Sequence, residues 1–304
     1  MIDLDALVSL RAVDDHGTVG AAADALGFTP SAVSQQVKRL ERQLGLALLE
    51  RVGRGVILTG AGRQLVDDGA AVLAELERIE AGLHRAASSV SGHLRLSAFS
   101  TSVRDVVAPA LGRLTARHPD LSVTLHEGEP WDVVDLVADG RQDLGLVHSW
   151  GDVPLPVPDH VVSTHLTRDV ADVVLPASHP LAGRRRLSPH DLLDAAWIAT
   201  PEGTICRQWL TRMYLGTGRL PHVAHVSMEF DSHLALVRAG LGIALVPRLG
   251  RAELPAGVVA VAAIDPVPTR EVVALHRRTM SDSPAVRALL AELRATAEPP
   301  PAAP

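Results

Sequence analysis

The sequence predicts two kinds of fold in series: a small, mostly helical N-terminal domain and a larger α/β domain built as two lobes. Three observations carry this reading. A chain of 304 residues is too long for one comfortable core. Apolar residues recur at helical spacing up to about residue 90 and then in short strand-like runs separated by helical ones. That strand–helix alternation occurs twice, on either side of a proline-rich stretch at residues 153–158.

Composition bounds the rest. Apolar residues make up 47% and charged residues 21%, a balance that permits a folded core. The net charge of -6 gives no global support to nucleic-acid binding. Locally the sign reverses. Residues 28–63 hold Lys38, Arg39, Arg42, Arg51, Arg54 and Arg63 against Glu41 and Glu50, a net of +4. Taken alone, such a cluster is more often a plain solvated face. Cys206 is the only cysteine, which excludes an intrachain disulfide and a cysteine-rich metal site. No apolar run approaches the roughly 20 residues that cross a bilayer. The opening MIDLDALVSL is acidic and lacks a basic leader, so a cytoplasmic location is expected by elimination.

Leu4, Leu7, Val8 and Ala12 predict a first helix to about His16. Thr18 can cap a second, alanine-rich helix that Gly27 ends, and its small side chains permit close crossing by a neighbour. Thr29 followed by Pro30 restarts the chain as a third helix to about Leu44. Its apolar stripe is Ala32, Val33, Val37, Leu40 and Leu44, and its other side carries Ser31, Ser34, Gln35, Lys38, Arg39 and Arg42. This is the organisation of a helix-turn-helix, whose second element enters the major groove. Gln35 suits bidentate pairing with adenine, Ser31 and Ser34 discriminate less, and Lys38 and Arg42 suit phosphates. Two short apolar runs around Gly53-Arg54-Gly55 have the layout of a wing that projects Arg54, with Arg51 beside it.

Thr59 can cap a long helix to about residue 88. Leu65, Val72, Ile79 and Ala86 form one seven-residue series, and Gly69, Leu76, Leu83 and Val90 form another offset by four. The seam implies pairing with a second chain, with Leu65, Val72, Leu76, Ile79 and Leu83 as its contacts. Packing against the protein's own larger domain is the alternative. A dimer suits a two-fold DNA site.

Residues 4–62 resemble the LysR-type transcriptional regulators. The match runs from the small-residue helix at 21–26 through SAVSQQVKRLERQLG to Leu48-Leu49, Arg51, Arg54, Leu58-Thr59 and Ala61-Gly62. Leu49 stands where the family usually has phenylalanine, and the Gly-Arg-Gly wing tip is leaner than usual. The resemblance implies a winged helix-turn-helix (1–58), a dimerising linker helix (59–90) and a two-lobed effector domain like periplasmic binding proteins. It implies homodimers that pair into homotetramers on double-stranded promoter DNA, with RNA polymerase as a further partner.

Read on its own, the larger domain has strands near residues 94–98, 121–125, 143–147, 173–175, 197–199, 223–226, 243–247 and 272–275, with helices between them. A mostly parallel sheet is expected in each lobe. Ser188-Pro189-His190-Asp191 is a near-ideal helix start. Lobe 1 is assigned to 91–161 and 268–296 and lobe 2 to 162–267, with crossings near 161–168 and 265–270 and a frayed tail at 297–304. Ligands of open α/β sheets bind beyond the carboxyl ends of strands. That places an unidentified small-molecule effector at Ser100, Thr101, Ser102, Glu127, Ser149, Thr200, Thr204 and Phe230. Any of these hydroxyls can instead merely cap its own helix. A cleft rich in Glu127, Glu129, Glu202, Glu229 and Asp231 can pair with a cationic ligand or simply face water.

No catalytic motif supports an enzyme. The 14 histidines are scattered, and no H-x-x-x-H pair, G-x-S-x-G elbow, P-loop or Rossmann fingerprint occurs. No cofactor or metal is expected. Cys206, in a first helical turn, is either a thiol of lowered pKa or, the favoured reading, a buried or half-buried small residue. The competing classes are a solute-binding protein, which leaves the first ninety residues unexplained, and a regulator with a vestigial cleft.

Overall fold

Three helix starts are written by side-chain oxygens placed one residue ahead of an apolar stripe. Asp3 accepts from the Asp5 and Ala6 N–H groups to open α1 (Leu4–His16). Thr18 accepts from Ala21 to open α2 (Val19–Leu26), and Thr29 accepts from Ala32 to open α3 (Pro30–Leu44). An antiparallel hairpin, β1 (Leu49–Val52) with β2 (Gly55–Leu58), leads into α4 (Gly60–Ala87). This computed structural model describes residues 2–52, 55–87, 90–151 and 153–297, with side chains given except at residues 77 and 80–87. The chain falls into two compact units that divide at Ile79/Glu80.

In the first unit Ala6, Leu10, Val37, Leu40, Leu48 and Leu58 form one core, and Ala12, Val13, Ala22, Ala23 and Val33 form another. The alanines of α2 let α1 and α3 approach it closely. Leu65, expected at a two-chain seam, packs with Val66 against the first of these cores. A Cβ at Gly69 would lie 2.7 Å from Leu7, so this face of α4 rests directly on α1. Val72 and Ile79 remain 51% and 47% exposed, and Leu76 is half-buried. Arg54, the Leu83 side chain and residues 298–304 of the expected tail lie outside the described residues.

The second unit begins with β3 (Gly92–Ala98), α5 (Ser100–Ser102), a π-helical stretch at Val103–Val107 and α6 (Ala108–Arg117). It continues through β4 (Leu121–Glu127), α7 (Pro130–Ala138), β5 (Leu144–Trp150), β6 (Val161–Pro176) and β7 (Arg186–Leu187). Then come β8 (Ala196–Ala199), α8 (Ile205–Met213), β9 (His222–Val226), α9 (Phe230–Arg238) and β10 (Ile243–Pro247). The last elements are β11 (Val258–Ala263), β12 (Thr269–Arg277) and α10 (Pro284–Ala297).

Lobe 1 pairs β4-β3-β5 in parallel and adds β12 and β6 antiparallel. Its helices cover both faces, α6 and α10 over Leu94, Leu96 and Leu146, and α7 over Val147 and Leu275. Val90, placed in the seam by its spacing, packs on the first of these cores. Lobe 2 pairs β10-β8-β9 in parallel, with β6 antiparallel to β10 and β11. The expectation of mostly parallel sheets therefore needs amending. Both lobes are mixed, because β6 and β12 enter the sheets as antiparallel strands where the chain crosses between lobes.

The first crossing is no loop. One 16-residue strand, β6, pairs with β12 up to Val170 and with β10 and β11 from Ala171 onward. The Ser188-Pro189 signal also yields less than expected, a single 3₁₀ turn at Pro189–Leu192. Ser188 and Asp191 do form their reciprocal cap. The turn stops because Leu192 and Leu193 drop into the lobe 2 core and the chain must reach β8.

Gly250, just after β10, has φ +70°, and a Cβ there would lie 2.2 Å from the Thr101 carbonyl oxygen. Gly250→Ala should cost about 2–4 kcal/mol, from a strained backbone plus overpacking against main chain. Gly183→Ala, with open space around it, should shift stability by less than about 0.5 kcal/mol. Urea unfolding of both variants measures the contrast.

Candidate functional site

Two regions collect the candidate residues, one in each unit. In the first, α3 buries Val33, Val37 and Leu40 and thereby turns Ser31, Gln35, Lys38, Arg39 and Arg42 outward. Ser34 is half-buried. Gln36, the neighbour of Gln35, faces the other way and accepts a hydrogen bond from the buried Ser9 hydroxyl. Arg39 lies 3.4 Å from Asp3, while the Arg42 Nε donates to the Lys38 carbonyl. Arg51 is exposed on the hairpin.

Glu41, read from the sequence only as an acid within the basic cluster, fixes the hairpin. Its carboxylate accepts the Leu48 and Leu49 N–H groups at 2.9 and 3.3 Å. Thr59 works from the other side, donating to the Ala47 carbonyl and accepting from the Gly62 N–H. An acid inside a basic cluster, eight residues before the strand it holds, was the available signal.

In the second unit a cleft of about 140 Å³ opens between the lobes. Strand ends supply most of its wall. Phe99, Ser100 and Thr101 follow β3, Glu127, Gly128 and Glu129 end β4, and Thr200 and Thr204 lie between β8 and α8. Phe230 starts α9, and Cys206, Met228, His148 and Arg270 complete the lining. Six of the eight candidate effector residues thus line one cleft. Ser102 and Ser149 do not. Ser102 is fully buried and its hydroxyl donates to the Phe99 carbonyl, a turn of its own helix. Ser149 points the other way, because alternation along β5 gives His148 and Trp150 the inner face.

Several lining groups are already engaged. The Thr200 and Thr204 hydroxyls bond each other at 2.7 Å, and Thr204 also caps α8 by accepting from the Arg207 N–H. Arg270 is 1% exposed; its Nε donates to Asp169 at 2.9 Å and its Nη2 to the Thr101 hydroxyl at 2.8 Å. Its guanidinium also sits 5.1 Å from the Phe99 ring centroid and 5.4 Å from that of Trp150. Burial lowers the Arg270 pKa from its ordinary value, with Asp169 opposing. The sequence reading missed Arg270, which lies in an assigned crossing, and placed His148 only within the strand end 148–150 near the effector loops, choosing Ser149 from it.

Other lining groups are strained in protonation. Burial holds His148 well below the ordinary histidine value, and the Arg270 charge adds to this. Glu127 is raised by burial and then by Glu229, and Glu129 is raised by burial, partly offset by the Ile205 N–H. Of the two readings of Cys206, the buried or half-buried one holds and the lowered pKa does not. Burial pushes its thiol up to about 11, with Glu129 adding to the rise, so it is no thiolate near neutral pH. Behind Cys206 and Phe230 lies a small annex of about 20 Å³, walled by the stacked Trp150 and Trp209. Among the described residues no group of three or more His, Cys, Asp or Glu is placed to hold a metal ion, and no helix is long and apolar enough to cross a membrane.

A helix-turn-helix with a hairpin, ahead of a two-lobed domain with a central cleft, can be compared with known proteins. Residues 4–63 match the family model described as bacterial regulatory helix-turn-helix protein, lysR family, and residues 87–298 match that of the LysR substrate binding domain. The chain belongs to the LysR family of transcriptional regulators.

Relatives of this LysR-family chain include the probable HTH-type transcriptional regulator LrrA of Synechococcus elongatus, 30% identical over 97% of this chain and 98% of that protein. A probable RuBisCO transcriptional regulator of Cyanophora paradoxa is 28% identical over 80% of this chain and 75% of its own length. Among solved structures, a full-length OxyR variant from Pseudomonas aeruginosa aligns with TM-score 0.75 at 21% identity, covering 97% of this chain and 96% of that one. CbnR, described as a LysR family transcriptional regulator, aligns with TM-score 0.61 at 19% identity, covering 98% and 100%. At these identities the structures share the fold of this LysR-family chain.

Two outcomes follow for the cleft. Arg270→Met should cost about 3–5 kcal/mol, since it leaves Asp169 buried without its cation. Asp169→Asn in the same chain should restore part of the loss, which a double-mutant cycle by urea unfolding reads. The second outcome concerns pH. His148, His233 and His276 are all held below their unfolded value by burial, so below about pH 6.5 the unfolded chain binds protons that the folded chain does not. Stability should therefore fall as pH drops below that point. His148→Leu should flatten the slope by up to about 1.4 kcal/mol per pH unit, measured by urea unfolding at a series of pH values.

Proposed function

We propose that this chain is a sequence-specific DNA-binding transcriptional regulator, not a catalyst, controlled by a small molecule bound between the two lobes of its second unit. The convergence of Ser100, Thr101, Glu127, Thr200, Thr204 and Phe230, from separate strand and helix ends, on one cleft carries the effector half of the reading. The outward row Ser31, Gln35, Lys38 and Arg42 on α3 carries the DNA half. Gln35 reads bases; Lys38, Arg39, Arg42, Arg51 and Arg54 contact phosphate.

The exposed Val72 and Ile79 on α4, with Leu76 between them, support a homodimer through this helix. Homotetramers on promoter DNA, contact with RNA polymerase and a cytoplasmic location belong to the same proposal. Transcriptional control is also named for relatives, among them the RuBisCO operon transcriptional regulator of Allochromatium vinosum.

Binding of the full-length protein to the DNA flanking its own gene, at stated salt, tests the reading. Gln35→Ala should cost about 1–3 kcal/mol on the preferred site and little on random DNA. Lys38→Ala should weaken both equally and reduce the slope of log K against log salt by about 0.9 per lost phosphate contact. Binding of the parent protein no tighter to that flanking DNA than to random sequence would overturn the proposal.

A further inference from the structure

Resting on the effector-cleft reading above, we infer that the cleft selects a compact organic cation, its ammonium or amidinium group held by the carboxylates of Glu127 and Glu129. The charge on the wall comes first. Among the described lining residues the charged groups are Glu127, Glu129 and Arg270. Arg270 is already matched by Asp169 and donates its remaining reach to Thr101. Two carboxylates are left without a cation on the wall. Arg104, outside that lining, lowers Glu127 through its charge but makes its own contacts with the Gly250 carbonyl, Glu229 and Asp231.

Independent of the acids, the wall holds one unpartnered acceptor. His148 is 97% buried by its 3% exposure, lines the cleft, and its Nδ1 has no hydrogen-bond partner. Burial and Arg270 keep the ring neutral, so with the proton on Nε2 the Nδ1 lone pair accepts. One oxygen of Glu129, Oε2, is also closed off and unpartnered. Orphaned buried acceptors cost free energy until a donor reaches them, and an ammonium or amidinium brings several donors and the matching charge.

Size and surroundings agree. A cavity near 140 Å³ takes a guest of about six heavy atoms. Phe99 and Phe230 offer aromatic surface to a cation. A carboxylate ligand would instead meet Glu127 and Glu129 with Arg270 already engaged. Burial and neighbouring acids raise both carboxylates, opposed by Arg104 at Glu127 and by the Ile205 N–H at Glu129, and a bound cation relieves the charge.

The test is calorimetric titration of the full-length protein with putrescine, butylamine, butyrate and butanol, matched in length and differing in charge. One or both amines should bind, and butyrate and butanol should not. Glu127→Gln and Glu129→Gln should each weaken amine binding about tenfold or more, while the exposed Glu253→Gln leaves it unchanged. Amine affinity should also fall as pH drops into the raised carboxylate range. Binding of butyrate alone, amine binding indifferent to both substitutions, or binding of no probe overturns the inference. Operator binding measured on the same samples separates the two readings. Specific DNA binding with failed amine binding removes the cation assignment only, and a footprint shifted by butyrate keeps the effector cleft but reverses its charge. Amine binding without specific DNA binding removes the regulator reading instead.

Discussion

The second unit is organised around the buried pair of Asp169 and Arg270. Asp169 lies on β6 just before that strand changes partners from one lobe to the other, and Arg270 lies near the start of β12, the returning crossing. Joining them at 2.8–2.9 Å clamps the two crossing strands side by side. The other Asp169 oxygen accepts the Leu249 N–H at 3.0 Å, which fixes the chain leaving β10 to the same point. A buried ion pair contributes little net stability over a well-packed apolar substitute, yet breaking it is costly. Its consequence here is geometric. Two lobes, each with its own core, are joined through crossing strands that this pair ties together.

A second carboxylate repeats the device three residues on. Asp172, past the partner change, binds Arg248 at 2.7 Å and Arg251 at 2.9 Å, and those guanidiniums draw its pKa down against the opposing effect of burial. The loop carrying Arg248 and Arg251 also carries Gly250, whose N–H donates to Asp105 and whose carbonyl accepts from Arg104. β6, β10 and the helical run after β3 thus meet at one set of charges. Loss of the space at Gly250 would disturb all of them, because the atom met there is main chain of Thr101.

Much of this was legible in the sequence, and what was not has a physical reason. Local signals read well. Thr18, Thr29 and Thr59 bond where hydroxyls one residue ahead of a stripe should, and the strand ends that form the cleft were located from apolar runs. Parity read less well. Choosing Ser149 over His148 is a one-residue error, but along a strand it exchanges one face for the other. Leu65 and Gly69 fit a heptad as well as they fit packing on α1, because both demands repeat at nearly the same spacing; only the position of Leu7 separates them. Arg270 was the least accessible. Its partners Asp169 and Thr101 are 101 and 169 residues away, a pairing that no local pattern records.

The same long-range wiring bears on how occupancy of the cleft can be felt elsewhere in this unit. Thr101 lines the cleft, accepts from Arg270 through its side chain, and touches the space at Gly250 through its main chain. His148 lines the cleft and stands edge-on to Phe99 at 4.5 Å, and Phe99 in turn lies under the Arg270 guanidinium. A ligand that moves Thr101 or His148 therefore acts on groups bonded or stacked to the clamp itself. A ligand can shift a two-state equilibrium only through contacts that differ between the states. Here Thr101 stands one contact and His148 two contacts from the Arg270 charge that ties β12 to β6, so a ligand in the cleft and the crossing strands would share one buried network.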